Sequence, residues 1–379
     1  MKKIVVLGAG MMGAVIAVNL CRQYHVTVVD RDRNQLNSLE TQHPVEIRRV
    51  DLSISRAARE VIRDHDLVIG ALPGFMGFEI LKTVIRSGKD VVDISFFAED
   101  PFKLDTLAKK QNVTVVVDCG VAPGMSNIIL GYCNQRMSVS DYECLVGGLP
   151  VKRRWPYQYK APFSPIDVIE EYTRPARVVE NGKVVVKPAL SDAEYVEIDP
   201  VGTLEAFNTD GLRTLLKTMT IANMKEKTLR YPGHIETMRV LGETGFFSKE
   251  PVEVSGSTVR PIDITAKLLS SMWRPEQNEP DFTVMQITIR GKEGRRHKEY
   301  VYRLFDRFDE HAEASSMART TGYTCTAVAR LILDGGFARK GVCPPEYIGA
   351  EPNRFHRIMA DLQRHNVNYT CEERIIEGA

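Results

Sequence analysis

The sequence has few of the features that mark secreted, membrane-spanning or nucleic-acid-binding proteins. Its seven cysteines are scattered, with no C-x-x-C pair and no metal-ligand spacing. This excludes a disulfide framework and predicts reduced thiols, a cytoplasmic location and no metal site. The formal net charge is only +1, so no electrostatic argument favours nucleic acid or an anionic membrane as a partner.

Long uninterrupted apolar runs are also missing. The most apolar stretch, IVVLGAGMMGAVIAVNL, contains three glycines and is too broken to span a bilayer. The hydrophobic content of 43% and the charged content of 26% are those of an ordinary globular protein. A chain of 379 residues exceeds one typical core, so we expect two domains.

The first third of the chain alternates short apolar runs with segments of helical spacing. Six runs are predicted as strands: KKIVVLG, VTVVD, VEIRRVD, DLVIGAL, KDVVDIS and NVTVVVD. Strands that alternate with helices of about 10–15 residues pair in parallel through right-handed crossovers. The pattern predicts an α/β fold with a doubly wound, Rossmann-type parallel sheet over residues 1–123. Ligands of such a sheet bind beyond the carboxyl ends of the strands.

A glycine-rich motif, GAGMMG, follows the first strand and begins the first helix. Gly8 permits the tight turn, Gly10 lets the backbone approach a pyrophosphate, and Gly13 lets the helix pack close to the strand. A strand before the motif and a helix after it are the context that dinucleotide binding requires. The sequence therefore predicts a nicotinamide dinucleotide as cofactor.

The choice of dinucleotide depends on the end of the second strand. Asp30 lies there and can accept hydrogen bonds from both ribose hydroxyls, which favours NAD and disfavours the 2′-phosphate of NADP. Arg31 and Arg33 leave NADP open as the alternative. The predicted cofactor contacts are Gly8, Gly10, Met11, Met12, Gly13, Asp30, Arg31, Ala71, Leu72, Pro73, Gly120, Val121 and Ala122.

After residue 128 the alternation ends, and the pattern predicts a mixed α+β domain over residues 124–321. Asn181-Gly182 between β-branched runs indicates a tight hairpin, and two longer strands surround a turn near Gly291. Exposed sheet edges need cover, so we expect a homodimer or a dimer of dimers through residues 130–310. Residues 322–379, with the strand-like VNYTCEER, are expected to pack back on the first domain.

Seven motifs carry a family resemblance: GAGMMG, DCGVAPGMSN, GGLPV, DPVGTLEAFNTDG, TLRYPGH, MARTTGYT and GVCPPE. Together they resemble the saccharopine dehydrogenase-like superfamily and, within it, most closely the lysine 6-dehydrogenases. The resemblance extends along nearly the whole chain. It implies an NAD(P)-binding domain, a second domain for substrate binding and dimerisation, and oxidation at an amine carbon or the reverse reduction.

The reaction that this resemblance implies is NAD-dependent oxidative deamination of the ε-amine of L-lysine. The ammonium group, with an ordinary pKa of about 10.4, must lose a proton before hydride can leave. Hydrolysis of the imine then releases ammonia, and the aldehyde cyclises to Δ1-piperideine-6-carboxylate. A saccharopine reductase or polyamine-forming relative that uses NADP stays open, as does a catalytically silent nucleotide-binding dimer.

Two stretches supply the predicted catalytic residues. In VDCGVAPGMSN, Asp118 ends a strand at the ligand edge, and the small residues after it could wall the cleft or act as a plain hinge. In TLRYPGH, His234 is predicted as base or proton relay and Tyr231 as a hydrogen-bond donor. Arg230 of the same stretch is predicted to clamp the substrate carboxylate.

A third stretch, EAFNTDGLRTLL, contributes predicted substrate contacts at Thr209, Asp210 and Gly211. Asp210 could instead be only the N-cap of the following helix. Arg153, which follows the glycine-rich GGLPV, is predicted to reach an anionic substrate group, or else to belong to a solvated basic loop.

Overall fold

The structure is a computed structural model that describes residues 1–161 and 164–376. It divides into two compact units. The first comprises Met1–Arg136 and Ala318–Asn368, and the second comprises Met137–Met317 and the segment that begins at Tyr369. The chain therefore leaves the first unit, returns to it and leaves it again.

The first unit contains a sheet of parallel strands. Numbered along the chain, they are β1 (Lys3–Leu7), β2 (His25–Asp30), β3 (Glu46–Arg49), β4 (Leu67–Gly70), β5 (Asp90–Asp93), β6 (Thr114–Val116) and β17 (Gly341–Val342). Their order is β17-β6-β5-β4-β1-β2-β3, which is that of a doubly wound sheet. The inner strands are rich in Val and Ile and largely buried, as expected for a sheet covered on both faces, whereas the edge strand β3 is partly exposed. The predicted Rossmann-type sheet is confirmed.

The helices of this unit come from both of its chain segments. They are α1 (Met11–Leu20), α2 (Arg33–Gln42), α3 (Ser55–Ile62), α4 (Gly74–Arg86), α5 (Asp105–Lys110), α6 (Met125–Arg136), α11 (Ser316–Leu333), α12 (Pro345–Gly349) and α13 (Pro352–Arg364), with a 3₁₀ turn at Pro101–Leu104. The first two residues of α11 belong to the second unit.

Close contacts hold the C-terminal helices within the first unit. Arg330 on α11 donates to Asp361 on α13 at 2.8 Å and to Asn19 on α1 at 2.6 Å. A Cβ on Gly349 would lie 1.9 Å from the carbonyl oxygen of Ile128, so α12 and α6 pack backbone against backbone. Because α6 is held in this way, the division between the units falls after Arg136 rather than near residue 123.

The second unit contains a mixed sheet. Its strands are β7 (Ser138–Pro150), β8 (Ala176–Glu180), β9 (Lys183–Lys187), β10 (Glu194–Ile198), β11 (Gly202–Asn208), β12 (Asn223–Arg230), β15 (Asp281–Glu293), β16 (Arg296–Arg307) and β18 (Tyr369–Ile376). The order is β10-β11-β12-β7-β15-β16-β18, with β8 paired to β12 and β9 to β8. β7 and β12 run parallel, and the other pairs recorded for the described strands are antiparallel.

One face of this sheet packs against helices. They are α7 (Pro165–Thr173), α8 (Leu215–Thr218), α9 (His234–Thr244) and α10 (Pro261–Trp273), and a separate hairpin is formed by β13 (Val252–Val254) and β14 (Ser257–Val259). Leu145, Phe207 and Leu229 of the sheet are buried in one apolar cluster with Ile169 of α7 and Trp273 of α10. The predicted second domain of mixed α+β structure is thereby confirmed.

Two turns and one strand test the finer predictions for this unit. Asn181 and Gly182 have φ of 50° and 76° and connect β8 to β9, as a tight hairpin requires. The long hairpin turns at Gly294 (φ 61°), whereas Gly291 lies within β15, where the pairing with β7 is irregular. The final strand, β18, pairs with β16 of the second sheet rather than with the first domain.

Across residues 1–161 and 164–376, no helix combines the length and the apolar character needed to cross a membrane.

Candidate functional site

The carboxyl ends of the parallel strands form one row in the first unit. Four backbone hydrogen bonds extend the sheet past its strands: Gly8 N to Val29 O (2.8 Å), Ala71 N to Leu7 O (2.9 Å), Ile94 N to Gly70 O (2.9 Å) and Cys119 N to Asp93 O (3.1 Å). The predicted cofactor residues follow β1, β2, β4 and β6 at this edge. The structure therefore brings them together along one side of the sheet.

Three glycines shape the turn between β1 and α1. Gly8 has φ 110°, and a Cβ on it would lie 2.3 Å from the carbonyl oxygen of Ala71. A Cβ on Gly13 would lie 2.0 Å from the carbonyl oxygen of Gly8, so no side chain fits at either position. A Cβ on Gly10 would instead meet nothing within 4 Å of the protein. The loop is closed on the protein side and open at Gly10.

The start of α1 lies at this open side. Gly10 is its N-cap and provides no side chain to cap it, and the first intrahelical bond runs from Ala14 N to Gly10 O. The N–H groups of Met11, Met12 and Gly13 precede that bond, and such groups carry the positive end of the helix dipole. An anion placed here would meet oriented donors.

Asp30 at the end of β2 is engaged by the backbone. Its carboxylate accepts from the N–H of Ala9 at 2.7 Å and from the N–H of Asp32 at 2.9 Å. Arg31 is exposed beside it, and Arg49 of β3 is the neighbour of Asp30 in the β2–β3 register. The Nε of Arg49 donates to the carbonyl oxygen of Arg31 at 3.2 Å. Asp30 thus fixes the glycine-rich loop, and the Arg49 guanidinium contacts the backbone of the next residue, Arg31.

The segment after β4 lies directly beside this loop. The carbonyl of Ala71 contacts Gly8, as above, and Leu72 packs against the apolar cluster of the first unit. Pro73 is the N-cap of α4. Ala71 and Leu72 therefore line the glycine turn through backbone and apolar atoms.

The stretch VDCGVAPGMSN forms a closed turn between β6 and α6. Asp118 is buried and has φ 54°. Gly120 N donates to the carbonyl oxygen of Pro123 at 3.0 Å, and Gly120 O accepts from Met125 N at 2.9 Å. Val121 is buried, and Ala122 is partly exposed. The turn is therefore an ordered loop at the carboxyl end of β6.

A buried polar contact holds the far side of this turn. Asn127 Oδ1 accepts from the N–H of Gly124 at 3.3 Å, and Asn127 Nδ2 donates to Glu346 Oε2 of α12 at 3.0 Å. Glu346 is 1% exposed. No local motif indicates this contact, because 219 residues separate its partners.

In the second unit, Arg230 is enclosed by a cluster of buried side chains. The arginine–aromatic cluster comprises Arg230, Glu171, Tyr159, Tyr172 and His234. Arg230 donates to Glu171 at 2.7 Å and to Tyr172 Oη at 3.0 Å, and its guanidinium lies 4.5 Å from the centre of the Tyr159 ring. Burial raises the pKa of the Glu171 carboxyl in spite of this ion pair. Arg230 thus already has a carboxylate partner within the protein.

His234 is the most buried of the predicted catalytic groups with an imidazole or phenol. Its Nδ1 lies 2.8 Å from the carbonyl oxygen of Tyr157 and its Nε2 lies 2.9 Å from Tyr172 Oη. A carbonyl can only accept, so Nδ1 carries the proton and Nε2 accepts from the tyrosine. Burial, reinforced by the nearby Arg230 charge, lowers the pKa of His234 to about 3. The imidazole is therefore neutral.

Tyr231 and Arg153 lie together. The Tyr231 hydroxyl donates to the carbonyl oxygen of Pro150 at 3.0 Å, and the Arg153 guanidinium lies 4.5 Å from the centre of the Tyr231 ring. Arg153 is exposed and also donates to Gln158 at 2.6 Å. Burial raises the pKa of the Tyr231 hydroxyl, so Tyr231 is a donor and Arg153 an accessible cation.

The third predicted stretch is buried and largely paired. Thr209 shares a hydrogen bond with Thr228 at 3.0 Å, and Asp210 accepts from Nε and Nη2 of Arg177, each at 2.8 Å. A Cβ on Gly211 would lie 1.6 Å from Glu226 Oε1. Asp210 is therefore the carboxylate of a bidentate ion pair rather than the N-cap of α8, which begins at Leu215. Arg177 lies 33 residues away from Asp210, so the local motif did not predict this ion pair.

The chain belongs to the saccharopine dehydrogenase family. The family models that match it are the saccharopine dehydrogenase NADP binding domain over residues 4–116 and the saccharopine dehydrogenase C-terminal domain over residues 120–367. A solved structure, apo histidine-tagged saccharopine dehydrogenase (L-Glu forming) from Saccharomyces cerevisiae, covers 100% of both chains with a TM-score of 0.79 at 20% identity. At this identity the likeness shows the fold.

Curated relatives are similar at low identity. The chain is 24% identical to mitochondrial alpha-aminoadipic semialdehyde synthase of Mus musculus, over 69% of the chain and 30% of the mouse protein. It is 26% identical to saccharopine dehydrogenase [NADP(+), L-glutamate-forming] of Pyricularia oryzae, over 71% of the chain and 63% of the fungal protein. The chain therefore spans less than a third of the mouse relative.

The expectation of NAD is wrong. The family model over residues 4–116 describes an NADP binding domain, and the Pyricularia oryzae relative is named for NADP(+). A physical reason lies at β2: the Asp30 carboxylate is held by two backbone N–H groups, while Arg31 and Arg49 bring positive charge to the same strand ends. A carboxylate at this position does not exclude a 2′-phosphate when guanidinium groups accompany it.

Proposed function

We propose that this protein is an NADP-dependent oxidoreductase that acts on the C–N bond at the ε-carbon of a lysine-derived amine. The first candidate substrate is saccharopine, cleaved to release L-glutamate. The observation that carries this proposal is the pair of family models over residues 4–116 and 120–367, together with the names of the curated relatives. Oxidative deamination of free lysine is the second candidate, supported by the motifs DCGVAPGMSN and LEAFNTDG.

The carboxyl edge of the first sheet fits NADP(H). The open space at Gly10 and the N–H groups at the start of α1 would hold the pyrophosphate. Arg31 and Arg49 would hold the 2′-phosphate, because guanidinium groups bind phosphate through paired donors. When bound, the nicotinamide would supply the hydride acceptor or donor.

The protein's own task is to remove a proton from the substrate amine. A secondary or primary ammonium cannot push electrons toward a departing hydride, so a base must act first. We favour Asp118, which follows β6 at the ligand edge, over His234. His234 has both ring nitrogens engaged and a pKa of about 3, which makes it a poor proton acceptor.

A substrate panel tests this proposal. We expect NADPH absorbance at 340 nm to rise with NADP+ and saccharopine in proportion to the L-glutamate formed, and more weakly or not at all with lysine. Release of ammonia from lysine would establish the second candidate instead. Tight NADPH binding without turnover of either amine would indicate the silent nucleotide-binding protein, and equal efficiency with NAD would contradict the cofactor assignment.

The same panel separates the two candidate bases. Asp118→Asn should lower turnover about 10²–10⁴-fold, the usual effect of losing a general base, with little change in NADPH affinity. His234→Gln should keep most of the turnover at neutral pH. The reverse ranking would return His234 to the role of base.

We also propose that the second unit forms a homodimer or a dimer of dimers. Val184 and Val186 on β9 are 54% and 65% exposed, and Tyr195 on the edge strand β10 is 68% exposed. Exposed edge strands invite pairing and are usually covered. Sedimentation equilibrium at micromolar concentration should show at least a dimer, and a monomer alone would contradict the proposal.

A further inference from the structure

The second unit contains a cavity that the proposed reaction does not use. Its volume is about 570 Å³, within the range of small-molecule sites. It lies over the starts of β7 and β12 and the end of β15, and the β8–β9 hairpin and the segment Asp192–Glu194 complete its lining. It is remote along the strands from Arg230 and Tyr231, which follow at the other end of β12.

The cavity has a buried polar floor. Asn208, at the end of β11, is 1% exposed and lines the cavity. Its Nδ2 donates to Asp192 Oδ2 at 2.9 Å and to Ser191 Oγ at 3.2 Å. A carboxylate oxygen only accepts, which fixes the orientation of the amide. Asn208 Oδ1 then finds no hydrogen-bond donor among the described residues.

A buried acceptor without a donor is unfavourable, because it has lost its hydrogen bonds to water and gained none in the protein. Native proteins rarely leave such an atom without a partner, and a bound molecule is one way to satisfy it. The missing partner must present an N–H or O–H group to Asn208 Oδ1.

The charges around the cavity specify the donor further. Five carboxylates line it, and they are Asp141, Glu143, Glu180, Asp192 and Glu194. Three lysines of the lining are committed to them: Lys187 to Glu180 and Asp192, Lys225 to Glu143, and Lys227 to Glu194. The fourth cation, Arg290, donates to Glu299 outside the lining at 2.7 Å.

Asp141 has a different environment from the other carboxylates. It accepts from Asn223 Nδ2 at 2.9 Å and from Ser140 Oγ at 2.6 Å, which are neutral donors. The cavity therefore has carboxylate charge in excess of the cations that face it. A cation that also donates hydrogen bonds matches both this charge and Asn208 Oδ1.

We propose that this cavity binds a small molecule with a primary ammonium group, either a diamine or a basic amino acid. The ammonium donates to Asn208 Oδ1 and is neutralised by the surrounding carboxylates. A diamine and a basic amino acid share this ammonium group. They differ in that the amino acid also has a carboxylate, which the lysines of the lining would favour.

Amide hydrogen exchange on the full-length protein tests the proposal without an activity assay. The probes are cadaverine and lysine, and 1,5-pentanediol is the uncharged control for cadaverine. Each is used at about 10 mM, which is ten times a dissociation constant of about 1 mM and so nearly saturates the site. We expect either amine to slow exchange in peptides covering residues 176–194, and the diol to leave them unchanged. Slower exchange with lysine but not with cadaverine would identify an amino acid as the ligand class. Slower exchange with cadaverine as well as with lysine would show that a diamine is sufficient.

Two variants and one control locate the effect. Asn208→Leu removes the acceptor and Asp141→Asn removes a charge without a change in shape, and each should weaken binding about tenfold, as for one hydrogen bond of about 1.4 kcal/mol. Glu236→Gln, whose side chain is 74% exposed on α9, should have no effect. Asp141→Asn keeps the test valid should Asn208→Leu fold poorly.

Three outcomes would overturn the proposal. They are no protection of residues 176–194 by either amine, equal protection by the diol, and full protection in the Asp141→Asn variant. Hydrogen exchange reports on residues 176–194 directly. The result therefore does not depend on whether the protein has the proposed catalytic activity.

Discussion

The carboxyl edge of the first sheet and the arginine–aromatic cluster of the second unit differ in how their polar groups are used. At the edge, Gly10 and the start of α1 leave space and N–H donors directed to a ligand. In the cluster, Arg230 and His234 have partners within the protein, and both are 3% exposed. The glycine-rich motif therefore indicates a ligand site because the fold leaves space beside it, whereas Arg230 and His234 are engaged with partners within the protein.

Arg230 gives the largest expected effect on stability. Arg230→Leu should lower the free energy of unfolding by about 3 kcal/mol, because it leaves the partly buried Glu171 carboxyl without its partner. Denaturation by urea would measure the loss. Arg230→Leu combined with Glu171→Leu should recover most of it, since an apolar pair can replace a buried ion pair.

The contrary result would restore Arg230 as a substrate clamp. In that case Arg230→Leu would leave stability within about 0.5 kcal/mol of the wild type, as for a surface substitution, and would mainly raise the KM for substrate.

The two glycines of the dinucleotide loop should separate binding from folding. Gly10→Val should weaken NADPH binding more than 100-fold, about 2.7 kcal/mol, and keep the melting temperature, because its side chain enters space that contains no protein atoms. Gly13→Val should lower both NADPH affinity and the melting temperature, because its Cβ would lie 2.0 Å from a backbone oxygen. Fluorescence titration and thermal unfolding measure the two effects.

Gly242→Ala on α9 is a suitable control for these glycines, since a Cβ there would meet its nearest atom at 3.6 Å. It should lower neither NADPH affinity nor the melting temperature. Retention of NADPH binding by Gly10→Val would mean that the dinucleotide does not approach this loop.

The local sequence pattern was sufficient to predict the glycine turn at the edge of the first sheet. It was insufficient to predict the contacts of the arginine–aromatic cluster in the second unit. The glycine turn is set by residues next to each other in the chain, so spacing alone predicted it. Arg230 contacts Tyr172 and Glu171 across 58 and 59 residues, and no motif records such a contact. The same limit explains why the pattern missed β17, a two-residue strand that pairs with β6 from the far end of the chain.

Asp30 shows a subtler limit. The sequence pattern correctly placed Asp30 at the end of β2. Its hydrogen bond to Ala9 N, however, depends on how the glycine-rich loop folds back over the strand. The carboxylate that suggested NAD is part of the loop's own support. Sequence alone could not separate these two roles, because both require an acid at the same residue.

The arginines beside Asp30 offer an intermediate effect. Arg31→Leu and Arg49→Leu should each weaken NADPH about 10–100-fold relative to NADH, the equivalent of one charge-assisted hydrogen bond of about 1.5–3 kcal/mol. Isothermal titration with both dinucleotides gives the ratio. Arg63→Leu, an exposed arginine at the end of α3, should not change it, and an unchanged ratio in both test variants would place the 2′-phosphate elsewhere.

The smallest expected effect at neutral pH comes from His234, whose contribution becomes visible only as a pH dependence at acidic pH. Its pKa is about 3 in the folded protein and about 6.5 in the unfolded chain. Between these values the unfolded chain binds a proton that the folded protein does not, so stability is lost as the pH falls. The loss from this group should approach about 1.4 kcal/mol per pH unit below pH 6.5, while above that pH the contribution stays complete.

Urea unfolding of the wild type and of His234→Gln at pH 4.5 to 8 measures this slope as a difference. Glutamine keeps an acceptor for the Tyr172 hydroxyl but cannot titrate, so the variant should lose less stability at low pH. The raised pKa of Glu171 acts in the opposite direction, yet it is present in both proteins and largely cancels. His311→Gln, at an exposed position, should reproduce the wild-type slope. Equal slopes for the wild type and His234→Gln would mean that the imidazole takes up its proton in the folded protein, and the arginine–aromatic cluster would then be as accessible as the edge of the first sheet.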